Sequence, residues 1–230
     1  MGGTLDKYEG DAIVAFFGAP LPMEDHAARS INTALDMQQR LLQFREQWAS
    51  EGDKWPDLVH EMRMRIGLNT GEFVTGNMGS TTRMNYTMMG DIVNTAARLE
   101  ASAKVYGIYI QATVANLEHA GRDNFEWRDI DKVKVVGKSE AVETVEIMAR
   151  KGDLDPKLLE MKDIYQEAMQ LYKQQQWDQA KALFGKSEKF EEVFPKRPGN
   201  PSLVYMDRCD FYNADPPGDD WDGSWTLTSK

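Results

Sequence analysis

The stretch that most restricts how this chain can fold is Asn85-Tyr-Thr-Met-Met-Gly-Asp-Ile-Val-Asn-Thr-Ala-Ala-Arg98, which must pass from strand to helix with almost no connection between them. Its pattern predicts a short strand, a Gly90-Asp91 turn, and a helix from Asp91 to about Val105. Asp91 suits the N-cap, because its carboxylate can accept from the free N–H groups of the first turn. Asn94 and Arg98 then stand four residues apart on one helix face. An amide and a guanidinium held one turn beyond a helix N-terminus suit a reacting polyphosphate. An ordinary amphipathic helix with two exposed polar residues meets the same pattern, so the pair needs support from elsewhere.

A second stretch, Gly3-Thr-Leu-Asp-Lys7-Tyr-Glu-Gly10-Asp11 followed by apolar Ala12–Phe17, reads as two strands joined by a tight turn at Glu9-Gly10-Asp11. An acid where a turn meets a buried strand is well placed for a divalent cation. Between these stretches, Glu24-Asp25 opens a long helix to about Ser50. Its apolar residues Ala28, Ile31, Leu35, Leu41, Leu42 and Trp48 recur at helical spacing and are expected in the core. Residues 62–70 and 72–78 alternate about Gly71 and predict a hairpin. Further on come a short strand at Ile108–Gln111, a short helix at Ala112–Glu118, and closing strands at Phe125–Val136 and Val142–Met148. The expected class is α+β, an α/β sandwich with a ferredoxin-like antiparallel sheet and helices packed on it.

Taken together, Lys7-Tyr-Glu-Gly-Asp11, Arg65-Ile-Gly-Leu-Asn-Thr-Gly71, Tyr86-Thr-Met-Met-Gly-Asp-Ile-Val-Asn94-Thr-Ala-Ala-Arg98-Leu and Val136-Gly-Lys138 resemble the catalytic domain of the class III nucleotidyl cyclases. These enzymes turn ATP or GTP into the 3′,5′-cyclic nucleotide. The resemblance runs from about Gly2 to Ile147. It implies that Lys7 and Thr87 read the base. A Lys/Thr pair marks a bacterial adenylyl cyclase subgroup, whereas guanylyl cyclases usually carry Glu and Cys there. The chemistry agrees, since a lysine donor and a hydroxyl can satisfy the adenine edge while guanine's donor face calls for a carboxylate. The resemblance further assigns Asp11 to a metal, Asn94 to the ribose, Arg98 to the reacting phosphorus and Lys138 to the terminal phosphates. The Gly-Lys-Ser-Glu-Ala loop around Lys138 departs from the usual Lys-Gly-Lys-Gly.

The implied cofactors are two divalent cations, Mg²⁺ or Mn²⁺, and the implied assembly is a homodimer whose sites draw on both subunits. In that arrangement Asp11 serves one site while Lys7, Thr87, Asn94 and Arg98 of the same chain serve the other. Class III domains begin with a strand carrying a first metal aspartate in a Phe-x-Asp-x-x-Gly-Phe type motif, followed by two helices, and no such motif precedes Lys7. One metal carboxylate of two is therefore expected here, with catalysis impaired. The alternatives are a non-catalytic cyclase-like interaction module and a guanylyl cyclase.

Composition shifts at Lys151-Gly-Asp-Leu-Asp-Pro156, dividing the chain into a catalytic region, 1–150, and a C-terminal region, 151–230. Lys157–Gln174 and Trp177–Val193 predict a helical hairpin resembling one tetratricopeptide unit through Tyr165, Ala168, Leu171, Tyr172, Trp177, Ala180, Leu183 and Phe184. One such unit cannot bury its own apolar face, so a brace against the rest of the chain is expected ahead of a partner-docking element. From Phe194 onward, Pro, Asp and Trp predict an ordered wrapping tail, and the Asp215, Asp219, Asp220, Asp222 group lacks the spacing of an EF-hand. A formal charge of −10 and pI near 4.9 argue against nucleic acid. No apolar run reaches spanning length, so no membrane span is expected in this chain. A lone cysteine, Cys209, fits a reducing cytoplasm. The resemblance allows a sensory or membrane region upstream.

Overall fold

The computed structural model describes residues 1–134, 141–191 and 199–225. Along the chain run β1 (Thr4–Glu9), β2 (Ala12–Phe16), α1 (His26–Ser50), α2 (Asp57–His60), β3 (Ile66–Leu68), β4 (Val74–Ser80), β5 (Arg83–Met89) and α3 (Asp91–Tyr106). These are followed by β6 (Ile110–Thr113), α4 (Val114–Ala120), β7 (Phe125–Lys134), β8 (Ala141–Arg150), α5 (Pro156–Lys173), α6 (Trp177–Glu191) and α7 (Pro201–Ala214). The class is α+β, as expected.

The strands form three sheets among the described residues. β1–β2 and β4–β5 are antiparallel pairs, and β3-β6-β8-β7 is a four-stranded sheet with β3 and β6 parallel. This corrects the hairpin expected about Gly71. β4 turns at Thr81-Thr82 to pair with β5, Ser80 facing Arg83, whereas β3 pairs with β6. The reason lies in burial. Ile66 and Leu68 pack with Ala27, Ile31 and Ala34 of α1 and with Ile110, Ala112, Val145 and Ile147 of the sheet. A parallel neighbour requires a long crossover, and β4, β5 and α3 supply it.

Helix α1 follows its expected periodicity for only half its length. Ile31 is fully buried and Ala28 and Leu35 pack at the core's edge, but Leu42 is half exposed. Beyond the sheet, Trp48 instead stacks on Phe44, with centroids 5.5 Å apart, and meets Trp55. Helix α3 is capped one residue earlier than expected. Gly90 takes the cap position and Asp91 the first turn, where its charge still opposes the helix dipole. Gly107, at φ +62°, ends α3 in the left-handed conformation that terminates helices.

The C-terminal region is one helix richer than expected, because α7 occupies much of the presumed tail. Tyr165, Tyr172, Trp177 and Phe184 of the α5–α6 hairpin pack with Tyr205, Cys209 and Tyr212 of α7, and Trp221 and Trp225 close over them. The hairpin's apolar face is thus covered by the chain itself. The seam with the sheet is ionic and dry. Arg128 of β7 donates to Glu146 (2.7 Å) and Glu191 (3.0 Å), its guanidinium lies 4.7 Å from the Tyr165 ring centre, and all of it is shielded from water.

Candidate functional site

The helix that carries Asn94 and Arg98 is seated by the segment before it. Gly67 lies so close beneath α3 that a Cβ there would stand 2.1 Å from the Ala96 carbonyl oxygen and 2.6 Å from the Glu100 nitrogen. Two residues on, the Asn69 amide donates to the Ile92 carbonyl (3.1 Å) and accepts from the Thr113 hydroxyl (2.9 Å), tying the start of α3 to β6. Thr95 and Leu99 turn inward and are buried, which leaves Asn94 and Arg98 exposed on the outer face. The Arg65–Gly71 stretch is therefore a saddle for α3. Sequence reasoning missed this role, although a glycine inside a strand is the signal for close backbone approach.

Thr87 lies on β5 opposite Gly76, three residues before the helix cap. Its hydroxyl oxygen is buried and has no hydrogen-bond partner among the described residues. A buried hydroxyl left unsatisfied is costly, so this one is set up to meet an incoming donor or acceptor. The β1–β2 hairpin leans on the same region through Phe16, whose ring lies 5.7 Å from Phe73 and 6.2 Å from Tyr86, the neighbour of Thr87. On that hairpin Lys7 is exposed, with its amine 3.5 Å from the well-covered carboxylate of Asp6. Asp11 is exposed just past Gly10, whose φ of +65° makes the turn. Lys138 lies outside the described residues.

No ion pair or hydrogen bond links Lys7, Asp11, Thr87, Asn94 and Arg98 to one another among the described residues. Neither of two cavities, about 180 Å³ beside α1 and about 310 Å³ between the sheet and the C-terminal helices, is lined by any of them. These residues therefore do not enclose a pocket within one chain, and Lys7, Asp11, Asn94 and Arg98 are exposed. No group of three His, Cys, Asp or Glu able to hold a metal occurs among the described residues. Asp11 alone fits a cation held mainly by phosphate oxygens and water, the usual arrangement for Mg²⁺. The set offers a fixed guanidinium, an amide, a hydroxyl, an amine and a carboxylate, which is chemistry for a metal-bound polyphosphate with a heterocyclic base. No helix of the described residues is long and apolar enough to cross a membrane.

The family model described as "Adenylate and Guanylate cyclase catalytic domain" matches residues 7–149. The chain is 34% identical over 212 residues to an "Adenylate cyclase, terminal-differentiation specific" of Dictyostelium discoideum, covering 90% of this chain and 9% of that protein. It is 33% identical to "Adenylate cyclase 1" of Rhizobium meliloti, covering 64% of this chain and 21% of the relative. The chain thus spans less than a quarter of the length of these two relatives. Among solved structures, the adenylyl cyclase CyaB of P. aeruginosa superposes with TM-score 0.57 at 30% identity, covering 67% of this chain and 76% of the other. The guanylyl cyclase Cya2 gives 0.53 at 30% identity, covering 67% and 74%.

Proposed function

The chain belongs to the adenylate and guanylate cyclase catalytic domain family, and on that premise we propose that it is the catalytic region of an adenylyl cyclase, converting ATP to 3′,5′-cyclic AMP and pyrophosphate. The observation that carries this reading is the exposed Arg98 one turn above Asn94, on a helix seated rigidly over Gly67. Arg98 stabilises the charge that develops on the phosphoryl oxygens as the ribose 3′-oxygen attacks the α-phosphorus. Asn94 orients the ribose, and Lys138 meets the terminal phosphates. Lys7 and the unsatisfied Thr87 hydroxyl read the adenine edge, which favours ATP over GTP. Asp11 holds one of two divalent cations, which when bound lower the pKa of the attacking hydroxyl and neutralise the leaving pyrophosphate. Residues 1–150 make up the catalytic unit, and residues 151–230 brace it. Two copies are needed, because residues that enclose no pocket on one chain become a closed site only against a second surface. We place the protein in the cytoplasm, where ATP is available and the lone Cys209 stays reduced.

The test is cyclic nucleotide formation from ATP and from GTP with Mn²⁺, in this chain and in any longer protein that carries it. Arg98→Ala is expected to lower kcat about 10²–10³-fold. In a longer protein that supplies the other metal carboxylate, mixing Asp11→Ala with Arg98→Ala is expected to restore activity, since each heterodimer regains one intact site. Turnover confined to a longer protein that supplies the other metal carboxylate is the expected result; no turnover of either nucleotide by that longer protein, folded and dimeric, would overturn the cyclase reading in favour of an interaction module. A preference for GTP would reassign the base.

A further inference from the structure

One sequence pattern has no part in the nucleotide site: Asn200-Pro-Ser202, Tyr205, Arg208-Cys209 and the paired Trp221 and Trp225. The structure converges all of it on one place. Asn200 caps α7 by accepting from the Leu203 N–H at 2.9 Å, and Ser202 donates to Glu191 at 2.7 Å. Tyr205 donates to the Ile130 carbonyl of β7 at 2.5 Å. Arg208 donates to the Asp131 carboxylate at 2.9 Å and to the Tyr106 hydroxyl at 3.1 Å, while Tyr106 itself donates to Asp131. The guanidinium is flanked by the rings of Tyr205, 4.9 Å away, and Trp225, 4.6 Å away. Tyr106, Asp131 and Arg208 are each about nineteen-twentieths or more buried.

A buried charge pair is a poor way to gain stability, because desolvation offsets most of the attraction; what it supplies is a single allowed geometry. Here that geometry joins α7 and β7 to Tyr106, the last residue of α3. The same helix rests at its middle on Gly67, against Ala96, Leu99 and Glu100. Its first turn is tied to β6 through Asn69, which donates to the Ile92 carbonyl, so Tyr106 is the third of three points that set its direction. Released at Tyr106, the end of α3 roughly 12 Å beyond the Gly67 contact loses its anchor, and the Asn69 tether alone is left to resist a tilt that re-aims the side chains of its N-terminal half.

We propose that Tyr106, Asp131 and Arg208 are positioning residues for the nucleotide site: they lock the C-terminal end of α3 to α7 and β7, and so set the direction in which Asn94 and Arg98 point. The C-terminal helices are then a handle, through which displacement of α7 by another part of the protein or a partner changes turnover. This inference rests on the cyclase reading only for its link to turnover; the mechanical link stands apart from it.

The experiment compares wild type, Tyr106→Phe and Arg208→Lys, with Lys181→Ala as a control that removes only the exposed ion pair to Asp210 on α7. Amide hydrogen exchange is read over residues 91–98, together with kcat and KM for ATP. Tyr106→Phe keeps the ring and deletes one hydroxyl, so it carries the test if Arg208→Lys fails to fold. The expected result is exchange raised about tenfold over 91–98, with kcat lowered about tenfold, KM for ATP within twofold, and Lys181→Ala like wild type. Arg208→Lys, which keeps a charge for Asp131 but loses the fork, should show a smaller effect than Arg208→Gln. Exchange changes confined to residues 103–106 and 201–212, with kcat unchanged, would overturn the proposal. Turnover is read in a longer protein that supplies the other metal carboxylate; if that wild type shows none, the cyclase reading falls, and the exchange over 91–98 still decides whether the tail governs α3.

Discussion

Substituting Gly67 by alanine tests how tightly the structure ties the nucleotide site to its scaffold. The added Cβ would lie 2.1 Å from the Ala96 carbonyl oxygen, 2.6 Å from the Glu100 nitrogen and 3.1 Å from the Leu99 Cβ, whereas ordinary contact begins at 3.4 Å. The first two are backbone atoms of α3, so no side-chain rotation relieves the clash; the helix must lift by about 1 Å. Overpacking of this kind costs about 1–3 kcal/mol, which for a chain of this size lowers the melting temperature by about 2–4 °C per kcal/mol. The functional effect should be larger than the thermal one. A shift of about 1 Å in positioned groups lowers turnover on the order of 10²-fold, and Asn94 and Arg98 ride on the displaced helix. Calorimetry or circular dichroism gives the melting temperature, and steady-state cyclic AMP formation gives kcat. A Gly67→Ala variant with wild-type melting and wild-type kcat would refute both the close seating of α3 and the placement of the reactive groups on it.

Other outcomes follow from the same packing. Arg128→Met should destabilise by about 3–5 kcal/mol in urea melts, because it removes the buried guanidinium that Glu146 and Glu191 share; a loss under about 1 kcal/mol would show the seam to be open to water. Gly185→Ala, inside α6, should stabilise by about 0.5–1 kcal/mol, since the new methyl meets only the Met206 side chain at 3.8 Å and 3.9 Å; a fall in melting temperature would contradict the open space there. Burial pushes the Cys209 thiol up to about 12, so the thiol stays protonated at pH 8 and its alkylation should follow global unfolding. Because the folded value is raised, its contribution to stability is intact below about 9 and is lost as pH climbs toward 12. Labelling of the native protein at the rate of a free thiol would refute the burial.

Much of this protein is local and therefore legible in one dimension. The Asn85–Arg98 stretch becomes β5 and α3 with its helix cap one residue off, the α5–α6 hairpin lies close to its expected bounds, and the turn before Asp11 follows from Gly10. In each case periodicity, a breaker or a short connection fixes the geometry among neighbours in sequence. Asn94 and Arg98 share a face for the same reason: a helix repeats every 3.6 residues wherever it is placed.

What failed was long-range. Alternation about Gly71 suggested a hairpin, yet the same alternation serves a strand whose partner, β6, lies more than forty residues on. The register of a pattern with period two says which face is buried and nothing about which strand lies alongside. Helix α7 was hidden because Asn200-Pro201 reads equally as a turn and as a helix cap with proline in the first turn. Leu42 obeyed the helical repeat but lies half exposed beside the cavity between α1 and the sheet, where no described residue closes over it.

The sequence by itself determined most of the elements, though not α7, together with the face that carries Asn94 and Arg98 and the family, because those depend on residues close along the chain or on ordered motifs. Only the tertiary structure decided that Gly67 seats that face, that Thr87 presents an unsatisfied hydroxyl, and that Arg208, more than a hundred residues beyond Arg98, holds the far end of the same helix through Tyr106 and Asp131. Those facts arise from backbone approach and desolvation between segments distant in sequence, where the pairing is selected by packing of the whole chain rather than by any local preference.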